Sequence, residues 1–148
     1  MSASLYPASV LEHYRNPRNR GHLDGCTHAA DGVNASCGDR LRVELDCADG
    51  ARVRAMRYSG EACALVIAAA SMLSERIIDL DAAALAELAQ RFQRRIEGAD
   101  EDAALGPLNA FGALERHPAR RKCALLPWAA LRAALAGDVR ISTEETSA

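Results

Sequence analysis

The chain has 148 residues, of which 49% are hydrophobic and 26% are charged, and its formal net charge at pH 7 is −2. This length and composition are typical of one soluble globular domain, and they exclude a disordered, collagen-like or multidomain chain. The nearly balanced charge argues against a nucleic-acid partner held by a broad basic face.

The amino-terminal half predicts one helix, a long loop and a hairpin. Leu5, Ala8, Leu11 and Tyr14 share one face of a short helix, which ends at Asn16 because the residue before a proline avoids helical geometry. Residues 17–38 are rich in glycine and predict a loop with at most one short strand. Residues 40–47 alternate apolar and charged side chains, which predicts a strand, and residues 52–58 continue a bulged hairpin.

The carboxyl-terminal half is predominantly helical. Residues 64–73 are small or apolar on every side, which predicts a helix surrounded by protein. Asp81 can cap a second, amphipathic helix that ends at Gly98. Residues 98–119 contain several glycines and prolines and predict a connector with at most one turn of helix.

A last helix from about Ala124 to Gly137 completes the predicted domain, and residues 138–148 are predicted to be a mobile tail. Together these elements predict a single domain over residues 1–137. Its class is α+β, a small antiparallel sheet of about three strands with helices packed on one face and a metal pocket at an exposed end.

The cysteines point to reactive or metal-binding thiols. Their odd number, in a chain whose first residues lack a secretion signal, argues against a disulfide framework: Cys26, Cys37, Cys47, Cys63 and Cys123. The longest apolar run, residues 62–70, is half the ~18 residues that cross a bilayer. We therefore expect a cytoplasmic protein that is not bound to a membrane.

One short segment carries the strongest local signal for a metal site. Cys37 and Asp39 flank Gly38, and a glycine between them allows a tight bend that turns both side chains toward one cation. Thiolate and carboxylate are both zinc ligands, and Cys63 and Cys123 are candidates for the other two. Each of these lies just before a predicted helix, where the positive end of the helix dipole favours the thiolate.

This spacing alone does not establish a metal site, because no C-x-x-C pair is present and scattered thiols are commonly inert core residues. For Cys47, on the inward face of the predicted strand, the core interpretation is favoured. Arg120 and Lys122, beside Cys123, are the kind of cations that would offset the negative charge of a thiolate cluster.

Four separated motifs together resemble the iron–sulfur cluster assembly scaffold family, which includes IscU, SufU and the amino-terminal domain of NifU. They are E-H-Y-R-N-P-R-N at 12–19, C-G-D at 37–39, S-G-E-A-C-A at 59–64 followed by A-A-A-S-M-L at 68–73, and R-R-K-C-A-L-L-P-W at 120–128. The extra length at 98–119 and the lysine at 122 are similar to the SufU-type branch, whereas the IscU branch is expected to have histidine at that position.

The resemblance implies that Cys37, Asp39, Cys63 and Cys123 are metal ligands and that Arg120 assists in binding the metal centre. SufU-type proteins bind zinc and accept persulfide sulfur from a cysteine desulfurase, which implies a SufS-like partner and a zinc-dependent sulfurtransferase activity. IscU-type relatives instead assemble a [2Fe-2S] cluster from iron and sulfide and pass it to an iron–sulfur carrier or to apoproteins.

Both functions stay open at this point. Of the two expected catalytic thiols, we favour Cys37 as the sulfur acceptor because its loop is the more flexible, with Cys123 as the alternative. A purely structural zinc domain is disfavoured because closed sites mostly use cysteine and histidine, and a cysteine hydrolase is disfavoured because no histidine adjoins either thiol.

Overall fold

The computed structural model describes residues 6–47 and 52–143. Within them lie four α-helices, four strands and three 3-10 elements. The helices are α1 Ala8–Arg15, α2 Ala64–Arg76, α3 Ala82–Ile96 and α4 Arg121–Ala136; the strands are β1 His28–Asn34, β2 Asp39–Asp46, β3 Ala55–Glu61 and β4 Arg140–Ser142. The 3-10 elements are the turns Ala35–Cys37 and Pro118–Arg120 and the longer segment Ala103–Arg116, which lies within the predicted connector, residues 98–119.

The strands form one mixed sheet in the order β3-β2-β1-β4. β2 pairs antiparallel with both β1 and β3, and β4 pairs parallel with β1. Helix α4 packs against β1 and β2, while α2 lies between α1 and α4. The predicted α+β class is confirmed, and the sheet has one strand more than predicted.

Local sequence patterns explain the elements that were predicted well. In β2, Leu41, Val43 and Leu45 are buried in the core, as the alternation requires. Every residue of α2 from 65 to 74 is buried, as predicted for a helix surrounded by protein. The Asp81 side chain accepts a hydrogen bond of 2.9 Å from the Ala84 N–H, so this residue caps α3 as predicted.

Strand β1 shows how tertiary packing overrides weak local propensity. Its sequence contains alanine, aspartate and glycine, which disfavour strands, yet it pairs along its whole length with β2. Gly32 has a packing role there, since an added Cβ would lie 2.9 Å from Leu126 Cδ1 and 3.1 Å from Ala130 Cβ of α4. The glycine therefore lets α4 approach the sheet closely.

The carboxyl-terminal prediction needs correction. Residues 138–148 were predicted to be a mobile tail, but residues 140–142 form β4 and pair with residues 31–33 of β1. Three polar or β-branched residues carry no periodicity that a sequence pattern could detect, and the strand exists only because β1 offers an open edge. Residues 144–148 lie outside the described part of the chain.

The connector is also more ordered than predicted. It runs as a 3-10 helix with a break at Gly106, whose φ of 52° and ψ of −129° are not helical. Leu105, Leu108, Phe111 and Leu114 are buried, and the Phe111 ring meets Phe92 of α3 edge to face at 5.8 Å. None of the described helices is both long and apolar enough to cross a membrane.

A buried histidine on α1 gives a first testable prediction. His13 is 8% exposed and its Nδ1 lies 2.7 Å from Ser71 Oγ of α2. Burial lowers the pKa of His13 below its ordinary value of 6.5. Burial in the folded state therefore favours the neutral ring, while the unfolded chain takes up a proton once the pH falls through 6.5.

We expect the free energy of unfolding to fall on acidification from about pH 7.5 to about pH 5.5, with His13 contributing part of the slope. Urea denaturation at both pH values measures it. The variant His13→Asn keeps a polar group near Ser71 without an ionisable ring, so its slope should be shallower than that of the wild type. Equal slopes would contradict the prediction.

Candidate metal centre

The loop that joins β1 to β2 presents two of the predicted ligands. Asn34 and Asp39 are paired across the ends of the two strands, and the turn Ala35–Cys37 lies between them. Gly38 adopts the left-handed conformation with φ of 73° and ψ of 14°, which a glycine reaches without strain. Cys37 is consequently exposed at the tip of the loop, while Asp39, at the start of β2, is only 2% exposed.

The third predicted ligand comes from α4. Cys123 lies in the first turn of this helix and is completely buried. Its Sγ lies 3.7 Å from Asp39 Oδ2 and can donate a weak hydrogen bond to that carboxylate. The ligand atoms of Cys37, Asp39 and Cys123 all lie within 4.8 Å of one another, which makes these residues a compact triad.

Cys63 adjoins this triad without being part of it. It is the residue before α2, and its backbone N–H donates a 2.9 Å hydrogen bond to Asp39 Oδ1. Its thiol also shares a hydrogen bond with the Cys123 thiol. The structure thus groups three of the four predicted ligands tightly and places the fourth in contact with two of them.

The thiols of Cys63 and Cys123 have opposite protonation tendencies. The hydrogen bond with Cys123 lowers the pKa of Cys63 to about 6, and the N–H groups of Val66 and Leu65 at the start of α2 act in the same direction. The same hydrogen bond, burial and the nearby negative charges raise the pKa of Cys123. The interaction between the two thiols therefore favours the thiolate form at Cys63 and the protonated form at Cys123.

The basic residues beside Cys123 are placed differently from each other. Lys122 Nζ donates a hydrogen bond to Ser36 Oγ, next to Cys37, so its positive charge lies beside the triad. Arg120 is exposed in the turn before α4, and within residues 6–47 and 52–143 its side chain forms no hydrogen bond or ion pair. A role of Arg120 in binding the metal centre stays a prediction.

Sequence patterns missed the polar residues behind the triad. Asn34 is completely buried, and its side-chain nitrogen donates to Asp39 Oδ2 and to the Lys122 carbonyl, each at 3.3 Å. Thr143, after β4, donates to Asn34 Oδ1. The only signal for Asn34 in the sequence was its position three residues before Cys37, and Thr143 had none because β4 was not predicted.

These residues fit a metal ion. Thiolate sulfur and a buried carboxylate are the donors that borderline-soft divalent metals such as zinc prefer. Three donors converge on the two oxygens of the buried Asp39 side chain and hold it beside the Cys37 and Cys123 thiols. The fold and the site together define a small α+β protein with a cluster of thiols and a carboxylate that can hold a metal, at one end of the two central strands of a mixed sheet.

Comparison with known proteins identifies the family. Residues 5–140 match the family described as NifU-like N terminal domain. The chain belongs to this family, which comprises the NifU amino-terminal domain, IscU and SufU, and it is thus an iron–sulfur cluster assembly protein by family.

Relatives from both branches cover nearly the whole chain. This chain is 34% identical over 137 residues to the zinc-dependent sulfurtransferase SufU of Bacillus subtilis, and the match covers 91% of this chain and 92% of the relative. It is 30% identical over 132 residues to the iron–sulfur cluster assembly scaffold protein IscU of Thermotoga maritima, covering 88% of this chain and 92% of the relative.

A solved structure supports the same assignment. The crystal structure of a putative iron–sulfur cluster assembly scaffold protein for the SUF system from Fervidobacterium islandicum is similar to this protein with a TM-score of 0.81 and 26% identity. The similarity covers 88% of this chain and 96% of the other. The fold predicted from the sequence resemblance is confirmed.

Proposed function

We propose that this protein binds zinc through Cys37, Asp39, Cys63 and Cys123 and accepts persulfide sulfur from a SufS-like cysteine desulfurase. Zinc binding is supported by the identity of 34% to the zinc-dependent sulfurtransferase, against 30% to the scaffold protein. Lysine at position 122, at the start of α4, supports the same branch, since histidine is expected there in the IscU branch.

The observation that carries the proposal is the contrast in exposure within the cluster. Cys37 is exposed at the tip of its loop, Cys63 is half-buried and Cys123 is completely buried. A desulfurase delivers sulfur as a persulfide on its own cysteine, so the acceptor thiolate must be reachable from outside. Cys37 meets this condition and has Lys122 beside its loop to stabilise negative charge.

The transfer is a thiol exchange at the outer sulfur of the desulfurase persulfide. The Cys37 thiolate attacks that outer sulfur, a new S–S bond forms on Cys37, and the old S–S bond breaks to release the desulfurase thiolate. No electrons are gained or lost overall. Cys37, Asp39, Cys63 and Cys123 would hold zinc, which would keep the thiols deprotonated and protect them from oxidation.

The residues around Cys37 hold its loop in place and shield the Cys123 thiol. Asp39 accepts hydrogen bonds on both oxygens, from the Cys63 N–H and from Asn34, and so fixes the base of the loop that carries Cys37. Cys123 is shielded from solvent within the first turn of α4. Of the three cluster thiols, that of Cys37 at the loop tip is the most accessible to a partner.

Sulfur transfer measured with a purified SufS-like cysteine desulfurase, cysteine and the zinc-loaded protein tests the proposal. We expect rapid persulfide formation on one cysteine of this protein, detected by mass spectrometry of alkylated peptides. We also expect faster alanine release by the desulfurase, because removing its persulfide frees it for the next turnover. The proposal is rejected if this protein gains no sulfur and the desulfurase releases alanine no faster in its presence.

The alternative is a scaffold that assembles a [2Fe-2S] cluster as cargo on the same residues, and the similarity to the Thermotoga maritima scaffold protein favours it. Purification without oxygen distinguishes the two functions. A colourless protein with one zinc per chain supports sulfur transfer. A brown protein with iron and sulfide supports the scaffold.

A further inference from the structure

A buried hydrogen-bond network lies behind the triad and connects it to the carboxyl-terminal strand. Asn34, the last residue of β1, is completely buried and all the polar atoms of its side chain have partners. Its nitrogen donates to Asp39 Oδ2 and to the carbonyl of Lys122, and its oxygen accepts from the Thr143 hydroxyl. Asn34 therefore touches three segments that are far apart in sequence.

The surroundings determine how the Asn34 amide is oriented. The two groups beside its nitrogen, a carboxylate oxygen and a main-chain carbonyl oxygen, are both acceptors. A reversed amide would place its own oxygen against both of them. The Thr143 hydroxyl then faces the amide oxygen, where it donates. Thr143 thus stabilises the orientation in which Asn34 can donate to Asp39.

This network restrains two proposed ligands at once. Asp39 is held through Oδ1 by the Cys63 N–H at 2.9 Å and through Oδ2 by Asn34 at 3.3 Å, so its carboxylate has donors on both oxygens. The second hydrogen bond of the Asn34 nitrogen reaches Lys122, the residue before Cys123. Removing the amide would take away one restraint on Asp39 and one on the first turn of α4.

Thr143 reaches Asn34 because β4 pairs with β1. Ser142 is paired with Val33, and the Thr143 N–H continues the ladder with a hydrogen bond of 3.2 Å to the Val33 carbonyl. The two side chains are 109 residues apart in sequence. The last strand of the fold therefore ends against the back of the metal centre.

From these contacts we propose that Asn34 and Thr143 are positioning residues of the metal centre, which set the geometry of Asp39 and Cys123 without touching the metal. The inference rests on the proposed function, since it assumes that the triad binds zinc. Hydrogen-bond partners of metal ligands typically change metal affinity by 10- to 100-fold when they are removed.

The variants Thr143→Val, Thr143→Ser and Asn34→Ala test this proposal. Valine matches threonine in shape but lacks the hydroxyl, whereas serine retains it. Thr27→Val is the matched control, because Thr27 Oγ1 accepts from the Cys47 N–H at 2.8 Å at the opposite end of β1, away from the triad. Zinc affinity is measured by competition with a chromogenic chelator, and the visible d–d bands of the cobalt-substituted protein report the ligand geometry.

We expect zinc affinity to fall about 3- to 10-fold in Thr143→Val, as for the loss of one hydrogen bond, and about 10- to 100-fold in Asn34→Ala. The cobalt bands should shift in both variants. Thr143→Ser should restore the wild-type affinity and spectrum. Thr27→Val should lower the unfolding temperature of the metal-free protein and leave zinc affinity and the cobalt spectrum unchanged.

Wild-type zinc affinity and an unshifted cobalt spectrum in Thr143→Val would overturn the inference while leaving the proposed function intact. The same result follows if Thr27→Val weakens zinc binding as much as Thr143→Val, because the effect would then reflect stability alone. A wild-type protein that binds no zinc would overturn the proposed function and the inference with it. Should Asn34→Ala fail to fold, Thr143→Val with its serine rescue decides the question.

Discussion

Replacing Cys37 with serine is expected to reduce persulfide uptake from a cysteine desulfurase to the background level. A serine hydroxyl stays protonated near neutral pH and cannot form a persulfide, so neither the nucleophile nor the product bond is available. The effect should be near-complete because Cys37 is the exposed thiol of the cluster and Cys123 is completely buried. Mass spectrometry of the alkylated protein measures sulfur uptake, and elemental analysis gives its zinc content.

Cys26→Ser is the matched control for this experiment. Cys26 is a partly exposed thiol outside the triad, so its replacement should change neither sulfur uptake nor zinc content. Sulfur uptake that persists in Cys37→Ser but disappears in Cys123→Ser would assign the acceptor role to Cys123. That result would also require the first turn of α4 to open, since the thiol is not accessible in this conformation.

The second large effect is expected from Gly60→Ala. Gly60 has a φ of 133°, a backbone conformation that residues other than glycine rarely adopt. In addition, an added Cβ would lie 2.2 Å from the Arg40 carbonyl oxygen. The obstacle is main chain in the neighbouring strand β2, so a rotamer change cannot relieve it. We expect the substitution to lower the free energy of unfolding by about 4 kcal/mol or more, a value reached only by the most disruptive single changes.

Gly21→Ala separates the two causes of the expected loss of stability, which are the strained backbone conformation and the close contact with the Arg40 carbonyl oxygen. Gly21 has almost the same φ, 132°, but an added Cβ would meet nothing within 4 Å. Its replacement should therefore cost only the strain of the backbone conformation, about 1–3 kcal/mol. Chemical denaturation of both variants gives the comparison, and equal losses of stability would show that the contact with Arg40 is relieved by movement of β3.

Gly60 also matters for the metal centre. It is paired with Leu41 near the beginning of β2, and Cys63 follows three residues later in the chain. A displaced β3 would move the Cys63 N–H away from Asp39 Oδ1, where it now donates at 2.9 Å. We therefore expect Gly60→Ala to weaken metal binding as well as stability.

The sequence predicted those parts of the fold whose signal is local. Alternation in β2, the uniformly apolar α2 and the Asp81 cap each involve residues a few positions apart, and all three agree with the structure. For the site, the C-G-D segment indicated that Cys37 and Asp39 share a tight turn, and the left-handed Gly38 provides it. The family was likewise recognisable from four short motifs, and the comparisons confirm it.

Features that depend on contacts between residues far apart in sequence were decided by the tertiary structure. β1 has poor strand propensity and forms because β2 and β4 bind its two edges, and β4 has no pattern of its own. The Asn34–Thr143 contact exists only through that pairing. The difference in exposure between Cys37 and Cys123 also follows from packing, because a loop tip projects into solvent while the first turn of α4 is covered by the sheet.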